Sequence, residues 1–379
     1  MVQDDDWFEC SDGTRLFLRR WRPAGPAPPA AALLIAHGMA EHSGRYGRLA
    51  ERLCAEGFEA WAPDMRGHGK TASEGGNDPG RGGLLGHCSD SGSLAAAARD
   101  LREIAAEMRK SLPGAGIFLL GHSWGSFAAQ RCISGGWEGG DGLDGCALSG
   151  TRGPGSLKAR AAAPLLSALA ALRGRRKGSP LARALTDGPF AKAFRPARTP
   201  FDWLSRDSAE VDAYCADPLC GFLCSAGFYR DLAAGLAEIH RPEAMARIRK
   251  TLPVYIFCGS ADPAGDMGSS PTALVKAYSS LGIADLEFAL YPGARHEPLN
   301  ETNRGEVASN LIDWMRRRLP ARSGQAPGGA DEAAGAEETD ETICSAEAGG
   351  ADGPGGAAPR GWDGSPETDR RVAKGGPER

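Results

Sequence analysis

The 379 residues are 41% apolar and 24% charged, with a net charge of −4. That is ordinary globular composition, at a length suited to one large domain or one domain carrying an insertion. No apolar run approaches the roughly 20 residues that span a bilayer, and no block of basic residues offers a nucleic-acid face. The acidic start Met1-Val-Gln-Asp-Asp-Asp has neither the basic nor the apolar region of a secretory signal, so none is expected. The ten cysteines are scattered, several in apolar runs such as those around Cys146 and Cys258. They read as buried free thiols of a reducing compartment, and a cytoplasmic protein is expected.

In chain order, Arg15–Trp21 alternates as an antiparallel edge strand would. Gly25-Pro-Ala-Pro-Pro is a loop, and Ala32–Ala36 is a short continuous apolar run, the pattern of a strand buried on both faces of a parallel sheet. A helix is predicted over Tyr46–Glu56, stopped by Gly57. Strand Phe58–Ala62, helix Ser93–Lys110, strand Ile117–Leu120, helix Ser126–Ile133 and strand Leu143–Leu148 follow. Between 151 and about 245 the alternation stops, in a stretch rich in Ala, Leu and Arg. It resumes with strand Val254–Cys258, a helix at Thr272–Leu281, strand Leu286–Leu290 and a final helix over Glu301–Arg318.

Alternating β and α predicts a mostly parallel sheet with helices on both faces. Residues 1–150 and 246–321 form its core, and 151–245 an inserted helical cap. Residues 322–379 hold twelve acids against six Lys/Arg, leaving residues 1–321 at +2. This Gly/Ala-rich acidic tail nearly lacks large apolar residues and reads as disordered.

The chemical signal lies in Leu119-Leu-Gly121-His-Ser123-Trp-Gly125. It is G-x-S-x-G set directly between a strand and a helix, the nucleophile elbow of α/β hydrolases. Such a turn lifts the serine hydroxyl out at the carboxyl ends of the strands, where open α/β sheets bind ligands. A serine needs a base, and among seven histidines His296 is best placed, in the loop between the last strand and the last helix. His122, next to Ser123 in sequence, is expected to turn elsewhere. His37, His42 and His68 read as loop-structuring residues. The acid that orients the base should follow the preceding strand. Asp262 does so, with Asp266 on the same loop as the main rival and Asp285 one helix later. For the oxyanion hole, one backbone N–H is expected from Trp124. The other is expected from Met39, in the turn His37-Gly38-Met39, where Gly38 allows close approach.

These residues resemble the monoacylglycerol lipase and lysophospholipase branch of the α/β hydrolases, often labelled serine aminopeptidase-like. The resemblance runs through His37-Gly-Met-Ala-Glu-His-Ser-Gly-Arg-Tyr46, Pro63-Asp-Met-Arg-Gly-His-Gly69, Gly121-His-Ser-Trp-Gly125, Gly259-Ser-Ala-Asp262 and Tyr291-Pro-Gly-Ala-Arg-His296, from about residue 8 to 320. It implies Ser123, Asp262 and His296 as the triad and the amides of Met39 and Trp124 as the oxyanion hole. It also implies a small lipophilic ester substrate under a helical cap. Met39-Ala40, where relatives often have small residues or Gly, and the Ala/Arg-rich stretch 151–200 depart from the pattern.

No cofactor or metal is expected. Cys215, Cys220 and Cys224 fit no common zinc spacing and read as cap packing. A thioesterase, a carbon–carbon hydrolase or an aminopeptidase-like enzyme would keep the same serine, and a non-catalytic binding protein would normally have lost a triad member. In the cap, Leu157, Leu165, Leu166, Leu169 and Leu172 are followed by Arg173-Gly-Arg-Arg-Lys177. Such leucines usually pack onto a core. The alternative is peripheral contact with an anionic lipid surface.

Overall fold

A computed structural model of the chain describes residues 1–90, 92–135, 142–155 and 157–319; the side chains of 157–162 are not described. The predicted tail, 322–379, lies outside the described residues, as does the side chain of Leu157. Residues Met1–Arg322 form one compact unit.

The strands are β1 (Val2–Glu9), β2 (Arg15–Arg22), β3 (Ala31–Ala36), β4 (Phe58–Pro63), β5 (Gly116–His122), β6 (Gly145–Ser149), β7 (Val254–Gly259) and β8 (Leu286–Tyr291). They form one sheet in the order β1-β2-β4-β3-β5-β6-β7-β8. From β4 to β8 neighbours are parallel, while β2 runs antiparallel to both β1 and β4. The sheet is therefore the mostly parallel one that the alternation predicts.

One expectation needs correction. Arg15–Trp21 is antiparallel but is not the edge, because β1 pairs along its whole length, from Val2↔Arg22 to Glu9↔Arg15. Three consecutive aspartates argue against a strand by propensity. Cross-strand charge overrides this: Asp4 pairs with Arg22, and Asp6 lies 3.2 Å from Arg20. An acidic edge also discourages pairing with another chain.

The continuous apolar runs are buried on both faces, as parallel strands demand. Ala32, Leu34, Ile117, Leu119, Val254 and Ile256 enter one core cluster. Their alternating neighbours Leu33, Ile35, Phe118, Leu120, Tyr255 and Phe257 enter the other. Helices α1 (Gly47–Ala55), α2 (Gly69–Ser73), α3 (Ser93–Ser111) and α4 (Trp124–Ser134) precede the insertion. The insertion contributes α5 (Leu157–Arg173), α6 (Pro180–Thr186), α7 (Gly188–Lys192), α8 (Ser208–Ala216), α9 (Ala226–Ile239) and α10 (Pro242–Ala246). Helices α11 (Ser269–Ser280) and α12 (Arg304–Arg316) complete the chain. Residues of α3, α4 and α9 share the first cluster, and those of α1 and α12 the second. No helix among the described residues is long and apolar enough to cross a membrane.

The leucines of α5 divide. Leu166 and Leu169 are buried in the core cluster, whereas Leu165 and Leu172 are exposed, Leu172 at 85%. Arg176 is paired with Asp90 and Arg175 lies 3.5 Å from Asp231, so half of the basic cluster is engaged within the molecule. The described cysteines are free thiols, all buried except Cys215.

The loop after β4 is fastened by Arg66. Its side chain is 2% exposed and grips Asp100 at 2.5 and 2.6 Å, with Thr14 at 2.8 Å. Removing one partner of a buried pair strands the other charge. Arg66→Met is therefore expected to lower stability by about 3–5 kcal/mol, read as a shifted midpoint in urea.

Candidate active site

The turn from β5 into α4 carries Ser123 at φ 51°, ψ −119°, a conformation that non-glycine residues rarely adopt. It is held by Ser123 N–H donating to Ser149 O at 2.9 Å and by Ser126 Oγ donating to Ser123 O at 2.5 Å. The two flanking glycines are required by crowding. A Cβ on Gly125 would collide with the carbonyl oxygens of Ala36 and His37, and one on Gly121 would press into Gly125 O and Ser126 Cα. The end of β3 thus packs directly under the start of α4, and this brings the turn after β3 against the serine. A Cβ on Gly38 would stand 3.3 Å from Ser123 Cβ.

His296 reaches the same point from the loop after β8. Its Nε2 lies 2.8 Å from Ser123 Oγ, and its Nδ1 lies 2.9 Å from Asp262 Oδ2. Asp262 is fully buried and accepts the N–H of Ala264 at 2.8 Å. Of its rivals, Asp266 is turned onto Arg152 at 2.5 Å and Asp285 onto Arg318 at 2.9 Å. Burial pushes the His296 imidazole down. Asp262 in contact, with Glu297 and Glu41 beyond it, outweighs burial and leaves the ring above its ordinary value of 6.5.

His122 departs from expectation. Its ring does not turn away from the site but packs 5.0 Å, centroid to centroid, from that of His296, with Nδ1 3.3 Å from Ser149 Oγ. Burial, then the neighbouring His296, lowers it to about 4, so it is neutral at physiological pH. The loop histidines have the bracing contacts expected of them. His37 accepts Met65 N–H at Nε2, 2.9 Å, and lies 2.8 Å from Gly38 O through Nδ1. His68 stacks on Trp124 with ring centroids 5.2 Å apart.

Two cavities meet at the serine, both lined by Met39, Ser123, Asp187, Trp203, Tyr229 and His296. One, of about 510 Å³, is walled by Phe127, Leu166, Leu185, Phe190, Leu232 and Leu236. The other, of about 620 Å³, includes Glu41, Arg183, Tyr214, Phe222 and Glu297. Trp203, whose ring lies 4.9 Å from that of His296, and Glu297 carry no local sequence signal. Glu41 and Arg45 lie within the His37–Tyr46 motif, whose pattern alone does not reveal what they do.

Two further potential metal ligands lie near Cys220: His42, Asp217 and Cys220 have ligand atoms within 4.8 Å of one another. The hydrogen bonds of His42 do not suit a metal. His42 Nδ1 accepts Gly44 N–H at 3.2 Å, so the proton sits on Nε2, facing Asp217 at 2.8 Å. A metal-bound histidine needs an acceptor on its other nitrogen, and here there is a donor. The trio instead ties the turn after β3 to the cap.

Residues 27–303 match the family described as "Serine aminopeptidase, S33". The chain belongs to this family. It is 29% identical to a monoacylglycerol lipase of Mycolicibacterium smegmatis over 81% of its own length and 95% of that protein. It is likewise 29% identical to a monoglyceride lipase of Homo sapiens, over 84% and 92%. A thermostable carboxyl esterase from Bacillus coagulans superposes with a TM-score of 0.75 at 25% identity, covering 84% of this chain and all of the other. A soluble variant of the monoglyceride lipase from Saccharomyces cerevisiae shares the fold, with a TM-score of 0.65 at 20% identity over 85% and 97%. The chain is thus an α/β-hydrolase of the monoglyceride lipase-like branch, among the carboxylic ester hydrolases of this fold.

Crowding at the elbow yields a test. Gly125→Ala must displace the ends of β3 or α4, and is expected to destabilise by about 1–3 kcal/mol, read by urea or thermal melting. Turnover per folded molecule should fall as well, because Ser123 shifts with α4.

Proposed function

We propose that the chain cleaves carboxylic esters of lipophilic acyl groups, of the monoacylglycerol or lysophospholipid type, through an acyl-serine intermediate. The observation that carries this reading is the continuous line Ser123–His296–Asp262, at 2.8 and 2.9 Å, opening on an apolar cavity. Ser123 Oγ attacks the ester carbonyl as Nε2 of His296 takes its proton, and Asp262 holds the Nδ1–H and stabilises the imidazolium that forms. The amides of Met39 and Trp124 receive the oxyanion. His296 then returns the proton to the leaving alcohol. Water, activated by the same nitrogen, attacks the acyl-serine and releases the acid. The apolar cavity suits the acyl chain. The more polar one, with Glu41, Arg183 and Tyr214 on its wall, suits the alcohol part.

Ser123→Ala and His296→Ala are each expected to lower turnover of a p-nitrophenyl ester by several orders of magnitude, about 10⁴ or more, and Asp262→Asn by less than either. Labelling by a fluorophosphonate should disappear with Ser123→Ala. Activity surviving that change would refute the reading. A base must be neutral, and His296 holds its proton more tightly than an ordinary histidine. Activity should therefore rise with pH through a point above 6.5, and a kcat/KM profile measures it. A panel of p-nitrophenyl esters of rising length, monoacylglycerols, lysophospholipids and aminoacyl amides separates ester from amide substrates.

The cap also supports peripheral contact with lipid. Leu165, Leu172 and Leu181 are exposed, as are Arg173 at the end of α5 and Lys177 in the segment between α5 and α6. Salt-sensitive co-sedimentation with anionic vesicles is expected, weakened when Arg173, Arg175, Arg176 and Lys177 are neutralised. No vesicle binding, with equal effects of these changes on vesicle-borne and soluble esters, would leave the cap as a lid alone.

A further inference from the structure

Two glutamates on the wall of the more polar cavity, Glu41 and Glu297, belong to a charged bridge that takes no part in the proposed proton transfers. Arg45, with a side chain 11% exposed, donates through Nη1 to Glu41 Oε2 and Glu297 Oε1, and through Nη2 to Glu297 Oε2, each at 2.7 Å. Both carboxylates are buried, Glu41 at 2% exposure and Glu297 at 4%. Each is anchored at a sensitive place. Glu41 Oε1 accepts Gly38 N–H at 2.5 Å and Tyr46 Oη–H at 3.1 Å. Glu297 follows His296 directly, and its own N–H donates to Leu204 O at 2.8 Å.

We propose that Arg45 is a positioning residue: by bridging Glu41 and Glu297 it fixes the turn bearing Met39 against the loop bearing His296, and so holds oxyanion donor and base in register around Ser123. This rests on the triad reading above.

Stability alone does not account for the bridge, because buried ion pairs are often matched or bettered by apolar side chains of similar volume. What a bidentate guanidinium adds is direction. It holds two carboxylates at fixed angles in one plane. The parts it joins are far apart in sequence and share no strand. Gly38 follows β3 and His296 follows β8, at the edge of the sheet, with three strands between them. A Cβ on Gly38 would stand 2.8 Å from Glu41 Oε1 and 3.3 Å from Ser123 Cβ, so the turn packs closely against both the bridge and the serine.

The bridge carries a net charge of −1, so Glu41→Gln or Glu297→Gln each leaves a balanced pair with Arg45, and both variants should fold. Arg45→Lys keeps the charge and loses the fork. In all three, kcat on a soluble p-nitrophenyl ester is expected to fall about ten- to a hundredfold, and in Arg45→Lys, which leaves the cavity wall unchanged, KM should stay within about twofold, because misplaced groups cost rate more than binding. A second readout separates positioning from bracing. The groups facing His296 are Asp262, Ser123, His122, Trp203, Glu297 and, further off, Glu41, with Asp187 across the cavity. Removing either glutamate charge loosens the imidazole's hold on its proton, so the acid limb of kcat/KM should move to lower pH. A lowered Tm in the variants, with kcat and the acid limb at their wild-type values, would overturn the proposal and leave the bridge as a brace. Failure of the triad reading shows separately, as turnover that survives Ser123→Ala, and would overturn both.

Discussion

The structure depends on how closely α4 approaches the end of β3. That approach forces glycine at 125 and sets Ser123 at a positive φ, and it places the turn at Gly38–Met39 against the serine. A parallel sheet makes the contact available, because β3 and β5 are neighbours and their carboxyl ends emerge on one side. The strain at Ser123 persists because the surroundings over-determine it: Ser149 O, Ser126 Oγ and the helix that follows all hold that one residue. Relaxing the turn would mean separating β3 from α4, which lie in the largest buried cluster of the molecule.

Around this fixed point the charges follow one logic. An imidazole that is to accept a proton, the role proposed for His296, gains from nearby negative charge and loses from positive charge. Asp262 touches it, and Glu297 and Glu41 stand behind. The other histidines close to the site are kept neutral by burial, His122 at about 4 and His68 at about 3. They fill space and hydrogen-bond without adding a cation beside the base. The guanidinium of Arg45 is bound by two carboxylates, so that the three together remain negative.

The sheet was legible in the sequence because parallel strands advertise themselves as short apolar runs, and the runs at 32–36, 117–120 and 254–258 are unbroken. The Ser123 turn was legible because crowding leaves only glycine at 121 and 125. A place one βα unit before His296 fits Asp262 and Asp266 alike, and only the Gly259-Ser-Ala-Asp262 motif singled out Asp262; the structure points the two carboxylates to different partners. Strand β1 was hidden because its aspartates are poor strand formers and the arginines that pair with them are on another strand. Glu297 and Trp203 were hidden for a more general reason. A residue whose partner comes from another part of the chain carries no local pattern. The pairing of Arg45 with Glu297 spans 252 positions, and no periodicity or motif spacing reports such a contact.

The cap meets the site in two mechanically different ways. Residues 202–206 are bonded to the loop of the base: His296 N–H donates to Trp203 O at 3.3 Å, Glu297 N–H to Leu204 O at 2.8 Å, and Arg206 N–H to Glu301 Oε1 at 3.0 Å. Arg295 reaches the same segment, donating to Ser205 O at 3.0 Å. This segment is tied to the backbone of the loop, while Asp262 holds the ring of His296. Helices α5 and α6 contribute differently. Leu166 and Leu185 wall the apolar cavity, while Leu165, Leu172 and Leu181 of the same two helices face outward. An apolar inner face suits the acyl chain proposed above. Among the described residues Leu166 and Leu169 enter the core cluster, whereas Leu165, Leu172 and Leu181 do not. An apolar exterior directly over an apolar cavity is what would be required if the substrate arrives from a lipid phase instead of from water.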